Sequence, residues 1–337
     1  MTTDRIRWCM QCNLIATSRR CPRCGKDVLN LRIDNGSSIS PVFNQQANHI
    51  RNYLDTTYGE GCGKLLLPEE NTSLFAKMNG SRQMIVNGGI VGKVSDSGSI
   101  TLNASGLGLI SKGIRKNYVR CDHDSSYFVS KGRNMMVTGI TESSEGLSKG
   151  DTVAILDEKG NPIAEGVMKL SSEELSSDRG VAVGVKDNKV TRVHTSGKKN
   201  EWKETIEING PSLRPFVGES ANKIGYLASS YGYPFIVDLT PDIVSEANLL
   251  LVLDAGYKPK IIVEKKDVFT EFLIGKLGLE TVTELPEKCI LITEKDERHH
   301  ADIISYSPTG GWDMTAIWMY VMMKAEPFDP SYMQRLG

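Results

Sequence analysis

Four cysteines near the start of the chain carry its most specific chemistry. In the run WCMQCNLIATSRRCPRCG, Cys9 and Cys12 form one C-x2-C knuckle, and Cys21 and Cys24 form a second after an eight-residue gap. Thiolates delivered from two tight turns at that spacing close a tetrahedral zinc site in which no position stays open for a substrate. Pro22 and Gly25 suit the turn of the second knuckle, and Trp8 is placed to cover one side of a module with almost no other core. The expectation is therefore structural zinc. An iron–sulfur centre or a redox dithiol would draw on the same residues, although the ribbon-like spacing favours neither. Arg5, Arg7, Arg19, Arg20 and Arg23 surround the clip, either as a rim for RNA phosphates or as a solvated face.

A second constellation mixes cations with an aromatic ring. Lys112, Arg115, Lys116 and Arg120, with Tyr118 among them, can meet phosphates while the ring stacks on a base. These four cations with Tyr118 are candidate RNA-contact residues. They must act as a local patch, because 40 basic against 41 acidic residues leave a net charge of -1. The N-terminal MTTDRIRWC lacks the apolar core of a signal peptide, and no stretch of 18 apolar residues occurs, so a soluble cytoplasmic protein without a membrane partner is expected.

At 337 residues the chain is long enough for several cores, and its patterning changes along its length. After the ribbon (residues 1–30), residues 44–58 read as a helix, and apolar runs around Met84–Val86, Ile90–Val94 and Ser99–Leu102 make a small α+β adaptor over 38–118. Asn87-Gly88-Gly89 reads as a hairpin turn, since no P-loop Lys-Ser/Thr pair follows it. From Tyr127 to Val185 come short apolar strands separated by Gly, Ser and Asp turns, with strands expected at Val137–Ile140, Thr152–Leu156 and Ile163–Met168. This is the pattern of a small β-barrel. Residues 187–208 are polar and read as a connector. Beyond Pro211 helix and strand alternate, which predicts a largely parallel sheet over 210–337.

The barrel segment resembles the PUA domain, on the strength of the Gly139 turn, the Lys149-Gly150-Asp151 entry to a central strand, Asn161-Pro162 in the hairpin, Gly166 after Ala164, and the final strand after Gly180. The resemblance covers roughly 120–190 and implies a pseudobarrel of the kind found in RNA-modification and ribosome-associated proteins. The family usually carries a Gly-Ala step where RNA packs. Here Ser130-Lys131-Gly132-Arg133-Asn134-Met135 stands in its place, and the resemblance implies Lys131 and Arg133 as further candidate RNA-contact residues.

The last region, with IVDLTPDIVSEANLLLVLDAGYKPKIIV, resembles phosphoadenosine phosphosulfate reductase-like members of the adenine-nucleotide alpha-hydrolase group. Trp318, Tyr320, Asp329, Pro330 and Tyr332 extend that similarity. The family's Ser-Gly-Gly-Lys-Asp-Ser phosphate loop falls on Thr240, Pro241, Asp242, Ile243, Val244 and Ser245. Pro241 removes an amide donor, Asp242 adds a like charge and Ile243 removes the cation, and each change opposes phosphate binding. The order of modules resembles a group of archaeal proteins of that reductase family, with the scaffold kept and the nucleotide-binding loop degenerate. A multidomain α+β and α/β chain is thus expected: zinc ribbon, adaptor, PUA-like barrel and a C-terminal alpha-hydrolase-like sheet domain. The functional expectation is an RNA-binding protein, acting on tRNA, rRNA or a ribonucleoprotein, with no catalytic residues assigned and nucleotide binding in doubt. The alternatives are a reductase-family or RNA adenylation/sulfur-transfer enzyme, and a protein-interaction scaffold.

Overall fold

The computed structural model describes residues 7–31, 39–42, 44–69, 72–78, 81–95, 97–176, 179–194, 198–264, 268–294 and 302–324. Arg5, Asp329, Pro330 and Tyr332 lie outside the described residues. The described residues form two compact units: one from Arg7, residues 16–27 and those from Lys203 on, the other from those within 8–15 and 28–202.

The ribbon strands β1 (Arg7–Cys9), β2 (Leu14–Ala16) and β3 (Leu29–Asn30) make a sheet in the order β2-β1-β3. The adaptor follows as an antiparallel meander in chain order, of β4 (Ile39–Pro41), β5 (Ser73–Met78), β6 (Ser81–Val86), β7 (Gly89–Ser95) and β8 (Ile100–Leu102). Asn87 (φ 47°) and Gly88 (φ 76°) close the β6–β7 hairpin. Two successive positive φ values are what a type I′ turn demands, and Asn-Gly meets them at the least steric cost. Helix α1 (Asn44–Tyr58) lays Ala47, Ile50, Leu54 and Tyr58 into the adaptor core at helical spacing, beside α2 (Cys62–Leu66) and α3 (Ala104–Ile110).

The barrel comprises β9 (Tyr118–Cys121), α4 (His123–Ser130), β10 (Met135–Met136), β11 (Ile140–Ser143), β12 (Thr152–Leu156), β13 (Pro162–Met168) and β14 (Val181–Asp187). The strand order is β10-β14-β13-β12-β9-β11, so the two edge strands are consecutive in the chain. Only residues 137–139 separate them, which brings the edges together and nearly closes the sheet around Val119, Val153, Ile155, Ala164 and Val183. The strand expected at Val137–Ile140 is instead a 3-10 turn between β10 and β11. The chain crosses α4 too closely there for an extended run of side chains: a Cβ on Gly139 would fall 2.0 Å from Ser125 Oγ.

In the other unit, α5 spans Trp202–Tyr231, so 202–208, expected as connector, are helical. Pro211 and Pro215 lie inside α5. A buried stripe of Thr205, Ile208, Leu213, Ile224 and Leu227 outweighs the backbone hydrogen bonds the prolines remove. Strands β15 (Phe235–Asp238), β16 (Lys260–Ile262), β17 (Thr281–Val282), β18 (Cys289–Ile292) and β19 (Ile303–Tyr306) form an all-parallel sheet in the order β17-β16-β15-β18-β19. Helices α6 (Ile243–Asp254), α7 (Val268–Leu277) and α8 (Met314–Lys324) complete it. No helix among the described residues is long and apolar enough to cross a membrane.

Candidate metal centre and nucleic-acid interface

The sulfurs of Cys9, Cys12, Cys21 and Cys24 all lie within 4.8 Å of one another, the first three buried and Cys24 half-buried. Zinc–sulfur bonds of about 2.3 Å at tetrahedral angles set sulfurs about 3.8 Å apart, so this spacing fits the ion. The Cys12 amide donates to Cys9 Sγ at 3.4 Å, a contact that favours thiolate. In the second knuckle the Gly25 amide donates to Cys21 O at 2.8 Å, and the Cys21 amide to Lys26 O at 2.9 Å, which turns the chain back on itself. Four soft ligands with no open position make a structural zinc-binding site. Trp8 is fully buried, but its ring lies against Gly88 of the adaptor hairpin, where a Cβ would come within 2.8 Å of it. Trp8 Nε1 donates to Asn13 Oδ1, and Asn13 Nδ2 donates in turn to Asn87 Oδ1.

Much of the arginine rim is neutralised within the chain. Arg7 pairs with Asp313 at 3.5 Å, Arg23 with Glu204 at 3.2 Å and Arg20 with Asp27 at 3.7 Å.

The barrel patch divides in the same way. Lys112, Arg115 and Lys116 are exposed, with the Arg115 and Lys116 amides both donating to Tyr58 O. Tyr118 and Arg120 lie on β9, where the register sets Arg120 opposite Glu142 of β11. Arg120 Nη1 stands 3.0 Å from Glu142 Oε2, and the Tyr118 hydroxyl donates to Glu142 Oε1 at 2.7 Å. That hydrogen bond is the main reason the Tyr118 hydroxyl is held above its ordinary pKa. Lys131 and Arg133, in the α4–β10 loop, are exposed and make no ion pair among the described residues.

Sequence reasoning missed the two side chains beside them. Asp122 caps α4 by accepting from the Ser125 amide at 2.7 Å, and the helix turns only Val129 into the barrel core. Tyr127 and Phe128 are consequently 61% and 56% exposed, their rings edge to face with centroids 5.5 Å apart. Lys131 Nζ sits 5.8 Å from the Tyr127 ring centroid. The available signal was the pair itself: adjacent aromatics in a short helix point about 100° apart and cannot both face one core.

Residues 117–188 match the PUA domain. The chain is also similar to other proteins over longer stretches. An uncharacterized protein of Methanocaldococcus jannaschii is 22% identical over 209 residues, which cover 58% of this chain and 41% of the relative. The chain thus spans about two fifths of that relative's length. Among solved structures, a hypothetical protein of Pyrococcus horikoshii is 23% identical over 44% of this chain and 93% of its own, with a TM-score of 0.40. A PUA domain protein of Thermoplasma acidophilum is 17% identical over 45% of this chain and 93% of its own, with a TM-score of 0.39.

The parallel sheet has its own cavity. Its strand order reverses between β15 and β18, and open α/β sheets bind ligands outside the carboxyl ends of the strands at such a point. A cleft of about 230 Å³ lies there, lined by Asp238, Thr240, Asp242, Ser245, Asn248, Thr293 and Glu294. Asp242 Oδ1 accepts from the Val244 and Ser245 amides, both at 2.9 Å. The chain's own carboxylate therefore occupies the helix N-terminal donors that a phosphate would use. Burial and the Asp242 charge push the Glu294 carboxyl upward in pKa. Pro241 is exposed, and Ile243 turns into the core.

Proposed function

We propose that this chain is an RNA-binding protein, acting on tRNA, rRNA or a ribonucleoprotein, and that it grips RNA through the α4–β10 face of its PUA domain. The observation that carries this reading is the exposed pair Tyr127 and Phe128 beside Lys131 and Arg133, cations with no carboxylate partner among the described residues. Exposed rings offer stacking surfaces and unpaired cations offer phosphate contacts, a combination a solvated surface does not need. Lys112, Arg115 and Lys116 belong to the proposed interface as outlying phosphate contacts. Tyr118 and Arg120 serve the barrel first, through Glu142.

The C-terminal unit is read as a phosphoadenosine phosphosulfate reductase-like scaffold without nucleotide chemistry. The Asp242 cap and the acidic wall of Asp238 and Glu294 oppose a polyphosphate, and no lysine is among the described residues lining the cleft. The cleft at the strand-order reversal is the one observation favouring an enzyme instead, and calorimetry of the zinc-loaded protein with ATP and with phosphoadenosine phosphosulfate decides between them.

The RNA reading is tested by titrating total cellular RNA with the full chain over a salt series. Affinity falls steeply with salt, and Lys131→Ala with Arg133→Ala weakens binding and flattens the salt slope. A salt-insensitive or absent interaction overturns the reading.

A further inference from the structure

We propose that the RNA-contact surface continues beyond the barrel along residues 186–192, and that this composite surface takes an unpaired RNA strand rather than a duplex. The inference rests on the RNA reading above and extends it to a substrate class.

Lys186 and Asp187 end β14, and residues 188–192 after it have no regular secondary structure, yet their backbone is fixed at successive points. Asn188 Nδ2 donates to Ser130 O at 2.7 Å, which ties the segment to the α4–β10 loop. Lys189 O accepts from the Ala104 amide at 3.1 Å, and the Thr191 amide donates to Ser105 Oγ at 2.8 Å. Thr191 Oγ1 donates to Ile90 O, and the His194 amide donates to Asn87 O at 2.9 Å. An irregular strap held this way keeps its side chains in fixed places without a helix or sheet to do so.

What it holds outward is basic. Lys186, Lys189 and Arg192 are exposed and make no ion pair among the described residues. Asp187, the acid among them, turns its carboxylate to the Lys189 amide at 2.9 Å. Val190 is 82% exposed, an apolar side chain displayed rather than buried. The hydrogen bond from Asn188 places this strap directly beside Lys131-Gly132-Arg133, so two sets of unpaired cations adjoin, with Tyr127 and Phe128 on the helix leading into them.

The rings decide which kind of RNA fits. Lys131 covers one face of Tyr127, and the two rings stand at 77° to each other. Bases inside a duplex are stacked on both sides and have no face to offer such rings, whereas an unpaired base does. Cations strung along an irregular strap follow one backbone, the pattern of single-strand grooves.

The test compares a labelled oligouridylate with an RNA duplex of equal length, both titrated with the zinc-loaded full chain over a salt series. The oligouridylate is expected to bind more tightly. Lys189→Ala with Arg192→Ala lowers its affinity and reduces the magnitude of the salt slope by about 1.4, from two phosphate contacts at about 0.7 each. Tyr127→Ala with Phe128→Ala weakens the oligouridylate roughly tenfold or more and leaves the duplex nearly unaffected. All four side chains are exposed, so the melting temperature serves as the folding control. Tighter binding of the duplex, or an unchanged salt slope in Lys189→Ala/Arg192→Ala while Lys131→Ala/Arg133→Ala still weakens binding, overturns this inference and leaves the RNA reading standing. Failure of both RNAs to bind at low salt overturns both.

Discussion

The Tyr58 hydroxyl at the end of α1 donates to Glu165 Oε1 at 2.5 Å, in the middle of barrel strand β13. Glu165 is 1% exposed, and its second oxygen accepts from the Leu102 amide at 3.1 Å. Adaptor and barrel thus share a buried carboxylate whose two oxygens are both hydrogen-bonded. Burial nonetheless raises its pKa to about 8, against the lowering effects of Tyr58, Leu102 and Lys93, with Asp187 raising it further. The sign of the pH dependence follows. Between the ordinary value of 4.5 and about 8 the unfolded chain gives up this proton while the folded chain keeps it. Stability present below pH 4.5 is therefore lost as pH rises through 8.

The expected outcome is a melting temperature that falls from mildly acidic pH to pH 8, with Glu165→Gln removing part of the fall. Glu246, buried on α6 and also raised to about 8, contributes in the same direction. The comparison must therefore be between wild type and variant. Parallel melting curves for the two across that range sink the assignment. Tyr58→Phe, which withdraws one donor from the buried Glu165 carboxyl, is expected to cost about 1–3 kcal/mol.

Gly88 tests how the ribbon's first strand is seated. Its φ of +76° disfavours any L side chain, and a Cβ there would lie 2.8 Å from the Trp8 ring. Gly160 has a comparable φ of +81° but nothing nearer than Arg120 Nη2 at 3.8 Å. Gly160→Ala is expected to cost about 1 kcal/mol from backbone strain alone. Gly88→Ala should cost roughly 1–3 kcal/mol more, because a fully buried ring must move. Equal destabilisation of the two variants in denaturant titrations shows that the Trp8 contact is not tight.

The parts of this structure legible in the sequence are those whose cause is local. Cysteine identity and spacing specify the metal cluster, and Asn87-Gly88 specifies its turn because so few residues tolerate positive φ. Alternating helix and strand predicts the parallel sheet. The illegible parts depend on partners distant in sequence. Arg120 reads as a free cation until the β9–β11 register sets it against Glu142. Glu165, in PIAEGVM, reads as an outward polar position until α1 and β8 are packed over it. Residues 202–208 read as connector, and only the buried stripe of α5 carries one helix from Trp202 through Pro211 and Pro215. Tyr127 opened the barrel stretch without a role, since exposure of an aromatic is a tertiary property.

Zinc removal separates the four-cysteine cluster from the other thiols. Purified protein should carry one zinc per chain by native mass spectrometry. Cys9→Ser or Cys24→Ser should abolish that stoichiometry and lower the melting temperature. Cys62 is buried but stands apart from the cluster, with desolvation pushing its thiol to about 11. Cys62→Ala should lose packing stability and keep the metal. Retention of a full equivalent of zinc in Cys24→Ser would falsify the four-thiolate assignment.

The Arg120–Glu142 pair tells a structural cation from an RNA-binding one. Both side chains are partly exposed, 34% and 44%, so their attraction is screened and Arg120→Ala should cost no more than about 1 kcal/mol. Glu142 also accepts from the Tyr118 hydroxyl, so truncating Arg120 leaves that acid anchored. With its charge already satisfied on the barrel, Arg120 adds little to RNA affinity, and its alanine variant should bind total RNA within about twofold of wild type and keep the salt slope. Arg133→Ala alone should reduce the magnitude of that slope by about 0.7–0.9. If Arg120→Ala weakens RNA binding as much as Arg133→Ala, the interface lies across β9 and β11, and the contact face moves from the α4–β10 loop to that edge of the barrel.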